Sequence, residues 1–467
     1  MRKYIVTTLV LVCIAAGGIL WAHTNINARQ DDITIKETLE AGKAEATKGI
    51  KVSTRILDPT YRLSWDTDMF LDGSGEIKSD TAFCYDRNHE VKFHNVKEDK
   101  YQLVDKFNYD AAHFTRAELE AAEGRAPGTP FPMKLMKDAY DASGGKSPFT
   151  WQCHLDDYMD YFPVEIYTDC LYYDHTMLNT DENINGGKNI DWTEYFHFPI
   201  PKDFPYLVQI LENGGEDPVG FWMIASEKDD YYYRLNSDGF WDGEAMYLAV
   251  SGIEEVGSGD IFMDAPEDKR GIHLIPTVDH GRPFIDMDQA KLVYPTNPGA
   301  KIIDLAESPD GKTIYLLTLE GETLMADVID KKSMTCRQKL QLSLNIKYPG
   351  AFTLSIPGDE WICYSFTSGT FVFLVKEQGN YRESIKNTID GIFEEGYIDC
   401  DYDGKRLAIA MTEWDSNVIE TQLRVFDKDG CLYRGRFDYS NAHTYYDKEG
   451  YAYDYDKRVY VEFTDEI

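Results

Sequence analysis

Basic residues are scarce in this chain. Its 467 residues hold 47 Lys and Arg against 81 Asp and Glu, a net charge of -34, which repels nucleic acid phosphates and anionic lipid head groups alike. That balance argues against nucleic acid as a partner. Paired cysteines are lacking as well. Beyond the first 28 residues the chain has Cys84, Cys153, Cys170, Cys336, Cys363, Cys400 and Cys431, an odd number with no Cys-x-x-Cys pair. Spread through strand-like runs, they read as buried free thiols and not as a disulfide framework. There is no Gly-x-Ser-x-Gly elbow and no His-Glu-x-x-His, and the ten histidines are scattered, so neither a serine hydrolase nor a zinc protease is indicated. The run YDASGGKSPF around Gly145 has Tyr140 where a phosphate loop needs glycine, and no strand feeds it. His273 and His280, seven apart in a β region, read as satisfied strand or loop histidines and not as a ligand pair.

What is present is enough apolar material to fold. With 43% hydrophobic and 13% aromatic residues, the chain can bury one large core or two to three ordinary ones. At the N-terminus, Arg2 and Lys3 precede an uncharged stretch from Tyr4 to Ala22. Nineteen helical residues span ~28 Å, close to a bilayer core. This predicts a membrane anchor over residues 1–28, with cleavage after Ala28 as the alternative. Either way the rest of the chain lies outside the cytoplasm, membrane-anchored or secreted. Cys13 does not mark a lipoprotein, because Val12 stands where a small residue is needed. Residues 29–49 are polar with helical propensity and read as a stalk.

From Ile50 to Ile467 short apolar and aromatic runs alternate with Asp, Gly and Asn turns, which is an all-β texture. One interruption, between about 108 and 147, reads as a helical insertion. It holds TRAELEAAEGR, with Thr115 and Glu118 spaced as a capping box, and PMKLMKDAYDA. Turns lead strands at a steady period. DGKTIYLL begins at Asp310, PGDEWICY at Pro357, DGKRLAIA at Asp403 and EGYAYDYD at Glu449, spacings of 47, 46 and 46 residues. Each full unit holds runs of about six to eight residues joined by short hairpins, the size of one propeller blade. TIYLLTL is apolar on both faces, as a strand packed between neighbouring sheets must be.

The stretch SPDGKTIYLL resembles the repeat of TolB-type and related Trp-Asp-repeat propellers, closely over Ile303 to Leu319 and in part over Tyr397 to Met411, where DYDGK lacks the Ser-Pro. The resemblance implies architecture and carries no catalytic residue. The expected fold is therefore all-β, a β-propeller of about seven four-stranded blades, six to eight being the range, with the small helical insertion and the N-terminal transmembrane helix. The last unit, from Tyr446, is too short for a blade, so Ser53 to Trp65 is expected to pair with it and close the ring.

Two stretches are candidate sites. In NSDGFWDGE, Asp238, Asp242 and Glu244 flank Phe240 and Trp241, an acidic and aromatic patch able to bind a sugar. A hairpin turn with Trp241 packed inward is the plain alternative. In DENINGGKNIDW, Asp181, Asn183 and Asn185 alternate as calcium ligands do and Gly186 supplies the turn, but Trp192 stands where the bidentate Glu belongs. Asp191 would have to complete a weak calcium site, and an ordinary Asn-Gly-Gly turn is the alternative. The expected function is a membrane-tethered, extracytoplasmic binding or scaffold module for a protein or glycan, without evident catalysis. The alternative is a propeller glycosidase or lyase with two carboxylates ~5 to 9.5 Å apart.

Overall fold

The computed structural model describes residues 12, 14–21, 24, 34–58, 63–84, 103–105, 116–122, 131–146, 148–162, 164–168, 189–212, 219–224, 232–242, 244–256, 262–279, 283–285, 289–344, 353–358, 360–366, 369–388, 398–412, 420–440 and 456–464. The chain is all-β, built almost wholly of antiparallel sheets with few helices. It divides into two compact units, residues 1–96 with 348–467, and residues 97–347.

Among the described residues the first unit contains three sheets. One joins β1 (Thr34–Gly42) to the outer edge of a meander formed by β25 (Ile398–Tyr402), β26 (Leu407–Thr412), β27 (Glu420–Asp427) and β28 (Gly430–Ser440). A second is the meander β21 (Thr353–Pro357), β22 (Trp361–Phe366), β23 (Thr370–Glu377) and β24 (Asn380–Thr388). The third combines distant segments: β29 (Asp456–Phe463) pairs with β2 (Ile50–Asp58), which continues to β3 (Leu63–Leu71) and β4 (Ile77–Cys84). Here Ser53 lies opposite Tyr460 and Thr54 opposite Val459, so the N-terminal strand completes the short last unit as its missing strands require. β29 takes the first position of its sheet, the place β25 holds in the preceding one. Residues 449–455, read as a turn and strand, lie outside the described residues.

The second unit holds the meander β17 (Ala300–Glu307), β18 (Thr313–Glu320), β19 (Thr323–Asp330) and β20 (Thr335–Gln341). Beside it in sequence, β11 (Tyr232–Trp241), β12 (Ala245–Val256), β14 (Gly271–Asp279) and β15 (Pro283–Ile285) form a sheet to which β13 (Phe262–Asp264) and β16 (Lys291–Pro295) also pair. The unit's other sheets among the described residues are two three-stranded ones: β10 (Val219–Ile224), β9 (Pro205–Glu212) and β6 (Phe149–His154), and β5 (Leu103–Asp105), β7 (Glu165–Thr168) and β8 (Asn189–Asp191). Helices Arg116–Ala121 and Phe131–Ser143 fall in the stretch read as an insertion. The longer one buries Leu135, Met136 and Ala139 in a core shared with Trp151, Phe162 and Trp192.

The turn chemistry explains the repeat. Asp310 Oδ1 accepts the Lys312 N–H at 3.0 Å, Ser308 Oγ accepts the Thr313 N–H at 2.9 Å, and Gly311 sits at φ +69°. That turn sets β18 against β17 with Glu307 opposite Ile314. Asp403 repeats the device, its Oδ1 accepting the N–H groups of Lys405 and Arg406. The strands that follow are sealed on both faces: every residue of Trp361–Phe366 and Leu407–Thr412 is buried.

Three expectations need correction or restriction. Residues 34–42 are a strand on the edge of β28 and not part of a helical stalk; the glutamates that favour a helix there are instead bound by side chains of β27 and β28. Two thiols, Cys336 and Cys431, are exposed, while Cys153, Cys363 and Cys400 are buried. Among the described residues no helix is long and apolar enough to cross a membrane. Residues 14–21 are helical, and most of the remaining Tyr4 to Ala22 stretch lies outside the described residues.

Candidate interaction site

The predicted acidic and aromatic patch lies at the β11–β12 hairpin, and the fold uses its acids internally. Asp242 shapes the turn: its Oδ1 accepts the N–H groups of Glu244 at 2.9 Å and Ala245 at 2.8 Å. Its Oδ2 meets Lys331 Nζ at 2.6 Å, with the two side chains only 15% and 13% exposed. Lys331, just beyond β19, also pairs with Glu307 of β17. Its ammonium lies 4.9 Å from the Tyr247 ring centre and 5.9 Å from that of Phe240, and those two rings stack at 4.9 Å. Burial pushes the Asp242 carboxyl up, but Lys331 and the two turn N–H groups outweigh it and hold it below its ordinary range. Burial likewise works against the Lys331 charge, and Asp242 and Glu307 together raise its pKa. Between Asp242 and Glu307 the chain has placed its own cation.

Asp238 points elsewhere. Its Oδ2 accepts the Leu305 N–H of β17 at 2.5 Å, and two residues earlier Asn236 Oδ1 accepts the Ile302 N–H at 2.6 Å. The same device recurs in the other unit, where Asp399 and Asp401 of β25 accept the N–H groups of Val461 and Phe463 of β29 at 2.9 and 2.7 Å. Polar side chains two residues apart on one first-position strand thus cap nearby backbone donors of another, two or three residues apart, which would otherwise be buried unpaired. Of the four predicted binding residues, Asp242 and Glu244 meet only through the turn. Glu244 is exposed, and Trp241 ends β11 opposite Met246.

Of the calcium candidates, Asp181, Asn183 and Asn185 lie outside the described residues, and Asp191 ends β8. No cluster of three or more His, Cys, Asp or Glu able to hold a metal occurs among the described residues. His273 is fully buried on β14, with Nδ1 2.9 Å from the Tyr195 hydroxyl and Nε2 2.8 Å from the Lys269 carbonyl. Nε2–H therefore donates to the carbonyl, and Nδ1 accepts from the tyrosine. Burial pushes its pKa down to about 4, so it is a neutral structural histidine. His280 lies outside the described residues.

Sequence reasoning missed a groove in the first unit. It has a volume of about 400 Å³ and is lined by Ile35, Lys36, Glu37 and Leu39 of β1, Ala44, Gly75, and Ile77 of β4. Leu39 is 49% exposed. Both β1 and β4 are terminal strands of their sheets, so two sheet edges border the groove. Such edges carry unpaired N–H and C=O groups that an extended segment can pair with. The one carboxylate in the lining, Glu37, accepts the Tyr433 hydroxyl at 2.6 Å.

No family model matches the chain, and no curated protein matches it in sequence. Among solved structures it is similar to Kluyvelomyces marxianus Hsv2, at 10% identity over 43% of this chain and 60% of that one, with a TM-score of 0.21. It thus spans less than two thirds of Hsv2. It is also similar to the β-propeller domain of Myceliophteria_thermophila Cps50 (Swd1), at 9% identity over 49% and 81% of the two chains, TM-score 0.23. A third is the Pseudomonas aeruginosa periplasmic gluconolactonase PpgL, at 12% identity over 54% and 70%, TM-score 0.25. These likenesses assign no activity to this chain, and its architecture rests on its own strand pairings.

Proposed function

We propose that this chain is a membrane-tethered, extracytoplasmic β-propeller of about seven blades that acts as a binding scaffold for a protein or glycan and not as an enzyme. The seven sheets among the described residues, three of them simple four-stranded antiparallel sheets, support the blade count. The observation that carries the functional reading is the internal use of the candidate acids. Asp242 is neutralised by Lys331 and Asp238 caps a backbone donor, whereas a glycosidase needs two carboxylates facing substrate. Purified full-length protein is expected to release no nitrophenol from a panel of α- and β-linked nitrophenyl glycosides above the rate of the Asp238→Asn/Asp242→Asn variant. Turnover abolished by that variant would reverse the reading.

Weak calcium binding in the Asp181–Asp191 loop belongs to the same proposal. With a Kd of ~0.1 to 1 mM, tenfold saturation stabilises the folded state by about 1.4 kcal/mol. Added calcium is thus expected to raise the Tm by a few degrees over chelator, and Asp181→Ala to remove the rise. Equal shifts in both proteins would mean that the loop is only a turn.

A further inference from the structure

β1 is an addition to a sheet that is complete without it. In two other meanders of the chain the fourth strands, β20 and β24, end their sheets, whereas β28 carries β1 on its outer edge. No residue of β1 is fully buried, and Ile35 alone packs, half-buried, against the core of the unit, so apolar burial makes only a small contribution to holding it. What holds it is a backbone ladder, from Thr34 opposite Ser440 to Gly42 opposite Tyr433 with an irregularity between Leu39 and Ala41, together with two carboxylates. Glu37 accepts the Tyr433 hydroxyl at 2.6 Å; Glu40 accepts Arg434 Nε at 2.5 Å and an Arg424 nitrogen at 3.3 Å.

Arg424 gives this arrangement its chemical sense. Its side chain is only 3% exposed, and a buried guanidinium needs a carboxylate. The groups around it are Gln422, at 2.7 Å, Arg434 of the same sign, the Cys431 thiol and Glu40, of which Glu40 is the carboxylate. Tyr433 and Arg434 on the edge of β28, with the desolvated Arg424 of β27 opposite Arg434, therefore form a receptor for two carboxylates three residues apart on an extended strand. β1 satisfies that receptor from a short tether: residues 43–49 connect it to β2, which keeps its effective concentration high.

We propose that the outer edge of β28 is a docking site for an extended acidic segment carrying two carboxylates three residues apart, and that β1 is its resident occupant, displaced when a partner strand binds. This names the partner chemistry of the binding scaffold and rests on that reading. The partner strand adds to the sheet through its backbone, and its acids select it.

The test uses full-length Glu37→Lys/Glu40→Lys protein, in which β1 repels its own receptor, and a fluorescent nonapeptide of sequence Thr-Ile-Lys-Glu-Thr-Leu-Glu-Ala-Gly as probe. Fluorescence anisotropy is expected to show saturable binding to the variant and at least tenfold weaker binding to wild type, whose edge is occupied. A peptide with both glutamates replaced by lysine should bind the variant at least tenfold more weakly. No binding to the folded variant, or equal binding of both peptides, overturns the proposal. If circular dichroism shows that the double variant does not fold, hydrogen exchange on wild type decides. Amides of residues 34–42 are expected to exchange at least tenfold faster than those of 420–427, and equal protection overturns the displaceable strand. Glycoside turnover is scored separately, so failure here is distinct from failure of the scaffold reading.

Discussion

Lowering the pH from 7 to 4 is expected to remove about 3 kcal/mol of stability from the unit formed by residues 97–347 through His273 alone. The imidazole is buried, and its pKa is down from the ordinary 6.5 to about 4. The unfolded chain binds a proton there at pH 6.5, and the folded chain does so only near pH 4. The neutral ring's contribution is complete above pH 6.5 and shrinks steadily as the pH falls towards 4. Of the groups facing the ring, the Tyr195 hydroxyl and Phe196 offer no anion and the Lys269 ammonium opposes a second positive charge, while the Lys269 carbonyl and Asp268 favour the protonated ring and offset burial only in part. Urea unfolding of wild type and His273→Gln at pH 7, 5.5 and 4 measures the effect. The variant should be less stable at pH 7 and lose markedly less on acidification. Parallel pH dependences would show that His273 titrates normally.

Replacing Lys331 with Met is expected to destabilise the same unit by about 2 to 3 kcal/mol, between the ≤1 kcal/mol of exposed ion pairs and the 3 to 5 kcal/mol of broken buried ones. Lys331 is 13% exposed between Asp242 and Glu307, at 15% and 21%, and its removal leaves two half-buried carboxylates facing each other. It also removes the cation held over Tyr247 and Phe240. Chemical denaturation of Lys331→Met and of Lys331→Met/Glu307→Gln separates these contributions. The second substitution should recover part of the loss, because it relieves the like-charge contact. A loss below 0.5 kcal/mol in the single variant would mean that solvent already screens the triad.

The sequence was most informative where a few neighbouring residues determine the backbone. Ser308, Asp310 and Gly311 close their turn through their own side chains and a positive φ, so the turn and the strand it starts are legible at Pro309-Asp310 without any tertiary knowledge. Terminal closure was legible for another reason: a unit with too few strands needs an edge partner, and Ser53 to Trp65 was the unclaimed strand-like run. β1 was not legible as a strand, because TIKETLEAG has helical propensity and its strand form depends on Tyr433, Arg434 and Arg424, some 390 residues away. The acidic patch misled for a related reason. Asp238 and Asp242 are close in sequence, but alternation along β11 and the turn beyond it send them to different partners, Leu305 N–H and Lys331. Nothing near 240 in the sequence indicates that a lysine at 331 will pair with Asp242 and join it to Glu307.

The pairing of β29 with β2 also has a consequence for synthesis on the ribosome. β2 to β4 emerge early, but the strand that covers β2 is translated roughly 370 residues later, an interval of tens of seconds at ~5 to 20 residues per second. Through that interval β2 has an open edge, with Ile50, Val52 and Met69 of its future core uncovered. Residues 97–347, whose described sheets draw their strands from one continuous stretch, can fold as they are made. Assembly of the nascent chain thus proceeds from its middle outward, and the two sheets that the earliest strands, β1 and β2, begin are the last ones finished.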